Sequence, residues 1–147
     1  MREIERELAL LVDAKAPGLP GIPGCGVLTA ARIIAETAGP GRFPSDAELA
    51  RTAGVAPIPA SSGARHRHRL DRGGNRKLNA AFHRIAIVQG RTDPQARAYL
   101  ARKQADGKSR REAVRCLKRY VARRVWHLLP KAPGGSDTTA LEAMALT

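Results

Sequence analysis

The side chains with most chemistry to offer lie between residues 56 and 75. Ala56-Pro57-Ile58-Pro59-Ala60-Ser61-Ser62-Gly63 runs straight into Arg65-His66-Arg67-His68-Arg69-Leu70 and then Arg72-Gly73-Gly74-Asn75. Two prolines remove backbone donors and exclude helix interior. Two adjacent hydroxyls stand before a glycine, where the backbone turns freely and a bulky ligand can approach. In an extended chain successive residues point to opposite faces, so Arg65, Arg67 and Arg69 would share one side. The chemistry this allows is a hydroxyl nucleophile beside a row of cations suited to phosphate. The plainer reading stands next to it. Pro, Ser and Gly are also what an ordinary loop is made of, and basic runs also occur as solvated surface.

The charge balance favours a polyanion. The chain has 147 residues and a formal charge of +13, unevenly placed: residues 1–50 are net −2 and residues 51–130 net +16. Arginine outnumbers lysine in the second segment, which suits bidentate phosphate contacts. Nucleic acid is the leading candidate partner. A membrane surface fits poorly, because the cations are spread over several elements without one aromatic or leucine-rich face. No apolar run approaches a membrane span and the N-terminus lacks a signal-peptide core, so a cytoplasmic protein is expected. Cys25 and Cys116 are far apart and fit neither a disulfide framework nor a zinc pattern, and read as buried or half-buried thiols.

The elements that must position these residues read as helices. Aromatic residues are only 3% of the chain, so a core must come from Ala, Leu, Ile and Val. Ile4, Leu8, Leu11 and Val12 form a stripe at helical spacing over residues 2–14, expected as the end of a longer helix. Gly24-Cys25-Gly26 ahead of Val27, Ala30, Ala31, Ile33 and Ile34 suggests a helix-hairpin-helix unit over residues 17–54. Its glycines would let backbone N–H groups face a phosphate. Gly39 is expected to end that helix. Ser45 to Glu48 is a capping box for a short helix closed by Gly54. A helix from about Asn75 to Gln89 follows, with His83 read as a surface or half-buried residue. Asp93-Pro94 opens another helix. Ser109 to Glu112 caps a long one to about Leu129, with Val114, Leu117, Val121, Val125 and Leu128 as its buried stripe. The expectation is therefore mainly α: an N-terminal helix (1–16), the hairpin unit (17–54), a core with a basic loop or short hairpin and three further helices (55–129), and a tail (130–147) with a short helix at 139–146.

Taken in order, Gly24-Cys25-Gly26, Ala53-Gly54-Val55-Ala56-Pro57, Ala60-Ser61-Ser62-Gly63, His68-Arg69-Leu70-Asp71-Arg72-Gly73-Gly74-Asn75-Arg76-Lys77-Leu78-Asn79, Tyr99 to Lys108 and Cys116-Leu117-Lys118-Arg119-Tyr120 resemble a known family. It is the bacterial insertion-sequence transposases that use a guide (bridge) RNA and pair a DEDD-type RuvC-like domain with a serine-bearing transposase domain. The resemblance covers roughly residues 8–129, on the transposase-domain side. It implies a mainly helical fold, a role in DNA transposition, and a serine that attacks a DNA phosphodiester. That role falls on Ser62, with Ser61 the second choice. Phosphate contacts would then come from Gly24, Gly26, Arg65, Arg67, Arg69, Arg72, Arg76, Lys77, Arg110, Arg111 and Lys118.

The family's metal-binding carboxylates belong to its RuvC-like domain, and the acidic residues of 51–130 form no such cluster. No cofactor is therefore expected in this chain, and a divalent metal only with a RuvC-like domain supplied by another chain. A guide RNA and further copies in a homo-oligomeric assembly complete the partners the resemblance implies. On this reading the chain binds nucleic acid but does not recombine it alone, as the downstream piece of a split or decayed transposase or an excised domain. Two other classes stay open: a non-catalytic helix-hairpin-helix module with Ser61 and Ser62 as loop hydroxyls, and an RNA-packaged structural protein.

Overall fold

A computed structural model describes residues 2–38, 41–56 and 74–131. All regular structure among them is helical: α1 (Arg2–Lys15), a 3-10 turn (Leu19–Gly21), α2 (Val27–Glu36), α3 (Asp46–Thr52), α4 (Arg76–Thr92), α5 (Pro94–Ala105) and α6 (Arg110–Leu128). Gly39, the serine-bearing segment and the expected tail helix at 139–146 lie outside the described residues. Among the described residues no helix is long and apolar enough to cross a membrane.

The local signals explain where each helix begins. Ser45 Oγ accepts from Glu48 N at the start of α3, but the Glu48 carboxylate turns to Arg51 instead of back to the cap, so only half the expected box forms. Asn75 opens α4 by accepting from the N–H groups of Lys77 and Leu78. Asp93 caps α5 with Pro94 at its first position, where a missing N–H costs nothing. At α6 both halves of the Ser109–Glu112 box are made. Each such cap contributes about 1 kcal/mol.

One buried cluster draws on every helix but α5. Phe82, Leu78 and Ile85 of α4 meet Ile33 and Ala30 of α2, Leu49 and Ala50 of α3, and Val121 and Val125 of α6. Leu19 and Ile22, from the turn before α2, are also inside. Residues on both sides of position 54 thus share one core. A second, smaller cluster joins α4, α5 and α6 through Ala86, Ala96, Leu100, Ala113, Val114 and Leu117. Alanines on facing helices allow close approach, as a chain poor in aromatics requires. At Gly90 of α4 an added Cβ would lie 3.0 Å from Leu100 of α5.

Polar groups inside are satisfied. Gln89, at the end of the α4 stripe, donates from Nε2 to the Pro23 carbonyl at 2.8 Å and so pins the turn before α2 onto α4. Trp126 Nε1 donates to the Phe43 carbonyl at 2.9 Å, fixing the α2–α3 connection against α6. Among the described residues no buried side-chain N or O lacks a partner. Both thiols are free. Burial pushes Cys25 up to about 11, so it stays protonated and inert at neutral pH.

Candidate nucleic-acid interface

Ser61, Ser62, Arg65, Arg67, Arg69 and Arg72 lie outside the described residues, but both ends of their segment are seen. After α3 the chain turns at Gly54, whose φ of 71° lies in the left-handed region. The N–H groups of Val55 and Ala56 then both donate to the Ala50 carbonyl, at 2.9 and 3.1 Å. Beyond the serine-bearing segment Gly74 lies against Gly54: a Cβ on Gly74 would sit 2.9 Å from both the Gly54 nitrogen and its Cα. Only a glycine lets the two backbones touch in this way. Asn75 N donates to the Thr52 carbonyl at 2.6 Å and closes the junction. The chain before and after the segment with the two serines therefore meets at one point.

Four helices converge on that point through side-chain amides. Asn75 Nδ2 donates to Glu36 of α2 at 3.0 Å, and Lys77 Nζ lies 3.7 Å from the same carboxylate. The Asn75 hydrogen bond first, and the Lys77 charge with it, hold Glu36 below the usual carboxylate range. One turn along α4, Asn79 Nδ2 donates to the carbonyls of Ala53, at 3.0 Å, and Gly54, at 3.4 Å. Its Oδ1 accepts from Lys118 Nζ of α6 at 2.8 Å.

Lys118 is thus a half-buried ammonium whose partner is a neutral amide oxygen. Burial first, and Arg115 second, hold it below the ordinary lysine value. Among the described residues no carboxylate lies within 4 Å of it. A half-buried cation held by a neutral amide favours an incoming anion. His83, one turn beyond Asn79, is held below the ordinary histidine value by partial burial and by the Lys118 charge.

The remaining predicted contacts fall in different surroundings. Arg76 and Lys77 are exposed on the first turn of α4, although Lys77 already has Glu36 as a partner. Arg110 and Arg111 are exposed on the first turn of α6. Cations there oppose the helix macrodipole, a cost that a polyanion would offset. Gly26 is the N-cap of α2, exposed, with open space where a Cβ would go and no side chain capping the helix. Gly24 is different. Its φ of 86° needs glycine, and a Cβ would lie 2.9 Å from the Ile85 carbonyl of α4. Packing of the turn onto α4 accounts for that glycine without a phosphate.

Charge on this surface is largely unmatched. The ion pairs among the described residues are Arg51–Glu48, Lys77–Glu36 and Arg123–Asp46. On residues 74–131 only Lys77 and Arg123 have such partners, while Arg84, Arg97, Arg110, Arg111, Arg119 and Arg124 stand exposed. The features that sequence reasoning passed over are Asn79 and Glu36. An asparagine at the end of a helix's first turn, a poor helix former four residues after an asparagine cap, was the available signal for the first. Among the described residues no three His, Cys, Asp or Glu side chains gather as a metal site.

Residues 17–101 match the family described as Transposase IS116/IS110/IS902. The chain is 37% identical over 116 residues to the insertion element IS110 uncharacterized 43.6 kDa protein of Streptomyces coelicolor, covering 77% of this chain and 29% of that protein. It is 37% identical over 110 residues to the insertion element IS900 uncharacterized 42 kDa protein of Mycobacterium paratuberculosis, covering 74% and 28%. The chain spans less than a third of the length of these curated relatives. The family match takes in more than half of the 147 residues, and the chain belongs to the IS116/IS110/IS902 transposase family.

Proposed function

We propose that this chain is the DNA-binding, serine-bearing part of a transposase. The observation that carries the reading is the junction at Gly54 and Gly74. There the described ends of the chain on either side of Ser61 and Ser62 meet, and Asn79 links the Gly54 carbonyl to a half-buried lysine that has no ion-pair partner among the described residues. The junction would hold the serine segment within reach of the same DNA strand as the basic helices. Ser62 Oγ, with Ser61 as second choice, attacks a backbone phosphorus. One P–O bond forms as another breaks, the serine loses its proton, and the departing DNA hydroxyl gains one. The bond energy stays in a protein–DNA ester, so strands can be rejoined without an external energy source. The loop arginines and Lys118 would stabilise the charge that develops on the phosphate. Metal-assisted activation belongs to a RuvC-like domain outside these residues, and a guide RNA and further copies of the protein complete the assembly.

The test uses a full-length relative containing this domain, incubated with DNA and magnesium and run on a denaturing gel. A covalent protein–DNA adduct that disappears with Ser62→Ala and survives Ser61→Ala is the expected result. No adduct, with duplex binding intact, would instead favour a non-catalytic helix-hairpin-helix module. The exposed, uncapped start of α2 at Gly26 is the observation on that side.

A further inference from the structure

The chain has only two tyrosines, and they lie side by side on its basic surface. Tyr99 of α5 and Tyr120 of α6 have ring centroids 6.1 Å apart, with planes tilted by 44°. Tyr99 is half-buried against the smaller core cluster. Tyr120 is not part of either cluster and is 48% exposed. An aromatic ring left this open on a chain so poor in aromatics is not explained by packing, since burial is where a ring stabilises most.

Cations surround the pair. Lys103 Nζ lies 5.5 Å from the Tyr99 ring centroid. Arg102 is close enough to influence the Tyr99 phenol. Arg124 is exposed one turn beyond Tyr120 on α6, the spacing at which side chains share a helix face. None of these three cations is in an ion pair among the described residues. Open aromatic faces between unpaired cations suit a strand whose bases are unpaired: the rings take bases and the cations take the flanking phosphates. A duplex hides its base faces and would engage only the cations.

We propose that Tyr120, backed by Tyr99 and flanked by Lys103, Arg102 and Arg124, is a stacking platform for unpaired bases of single-stranded DNA. This rests on the DNA-binding reading above and adds to it the kind of strand the α5–α6 face accepts. The occupant follows from charge and ring complementarity together, and strand exchange necessarily exposes unpaired bases.

The experiment measures binding of the full 147-residue chain to a fluorescently labelled mixed-sequence DNA strand, to the same strand lacking its bases, to its duplex, and to the equivalent RNA. Tyr120→Leu keeps an apolar side chain on the helix, and Tyr120→Trp keeps an aromatic one. The leucine variant should lose roughly tenfold in single-strand affinity, the scale of one stacked base. Its duplex affinity should change less than about twofold, and tryptophan should restore the single-strand value. The base-free strand should bind both wild type and leucine variant equally weakly. Thermal melts confirm that all variants fold, and Arg124→Gln, which leaves both rings in place, supplies a second variant. It should weaken single-strand binding and lower its salt dependence. Equal single-strand affinity for wild type and Tyr120→Leu overturns the platform, even while duplex binding persists. Tyrosine-dependent binding of RNA alone overturns its assignment to DNA. Failure of the wild type to bind any nucleic acid would remove the DNA-binding reading itself.

Discussion

Helices α1 and α6 carry the same kind of signal and meet different fates. Each has apolar residues at helical spacing with charged residues between them. On α6, Val114, Leu117, Val121 and Val125 are all buried. Leu128, expected with them, is half-buried against Gly18. On α1, Val12 alone is buried, while Ile4 is 59% and Leu11 47% exposed. Leu10, outside the stripe, is exposed too and helps line an open groove of about 480 Å³ with Ala9, Val12, Pro20 and Val27. Periodicity shows that a helix has an apolar face. It does not show how much of that face finds a neighbour. Helix α6 is packed by α3, α4 and α5, whereas α1 leans mainly on α2.

The comparison can be broken by experiment, with Trp126 as the sole tryptophan reporting unfolding. Leu117→Ala, in the cluster shared by α4, α5 and α6, should destabilise by about 2–5 kcal/mol in a denaturant titration. A loss no larger than that of an α1 variant would mean that the two faces do not differ. Asn79→Ala should cost about 1–3 kcal/mol, because it strips a hydrogen bond from Lys118 and from the Ala53 carbonyl. It should also weaken duplex binding if Lys118 meets phosphate, which a filter-binding titration would reveal; unchanged affinity would separate the lysine from the interface.

A pH series sharpens the polar side. Glu36 has a folded-state pKa below its unfolded value, so its contribution is fully present above the ordinary carboxylate range. That contribution is lost as pH falls through the folded value. Melting temperature should therefore decline on acidification in the wild type and decline less in Glu36→Gln. Parallel curves would show that the contacts to Asn75 and Lys77 add nothing. Smallest of all, Leu11→Ala on the exposed face of α1 should change stability by less than about 0.5 kcal/mol. A core-sized effect there would mean that a partner covers that face in solution.

A second contrast concerns charge. The ion pairs among the described residues take their carboxylates from Glu36, Asp46 and Glu48, all in the acidic first third of the chain. Two of the three reach across to the basic helices, at Lys77 and Arg123. The acidic segment thus quiets a few cations at the seams between helices, and among the described residues it leaves the exposed cations of α5 and α6 without ion-pair partners, Arg123 apart. Among the described residues tertiary structure thus separates cations held in ion pairs from cations that are not, a distinction that composition cannot make.

Local chemistry alone determined the helices and most of their ends. Asn75, Asp93-Pro94 and the Ser109–Glu112 box are short-range devices whose partners lie within a turn, so they can be read without knowing the fold. The order of motifs likewise placed the chain among insertion-sequence transposases before any geometry was known. What only the tertiary structure decided depends on residues far apart in sequence. Gly54 meets Gly74, Asn79 joins the end of α3 to Lys118 of α6, and Gly24 packs against the backbone of α4. Burial of a stripe and freedom of a cation are likewise properties of a neighbour, and no neighbour across the fold is visible in periodicity or charge count.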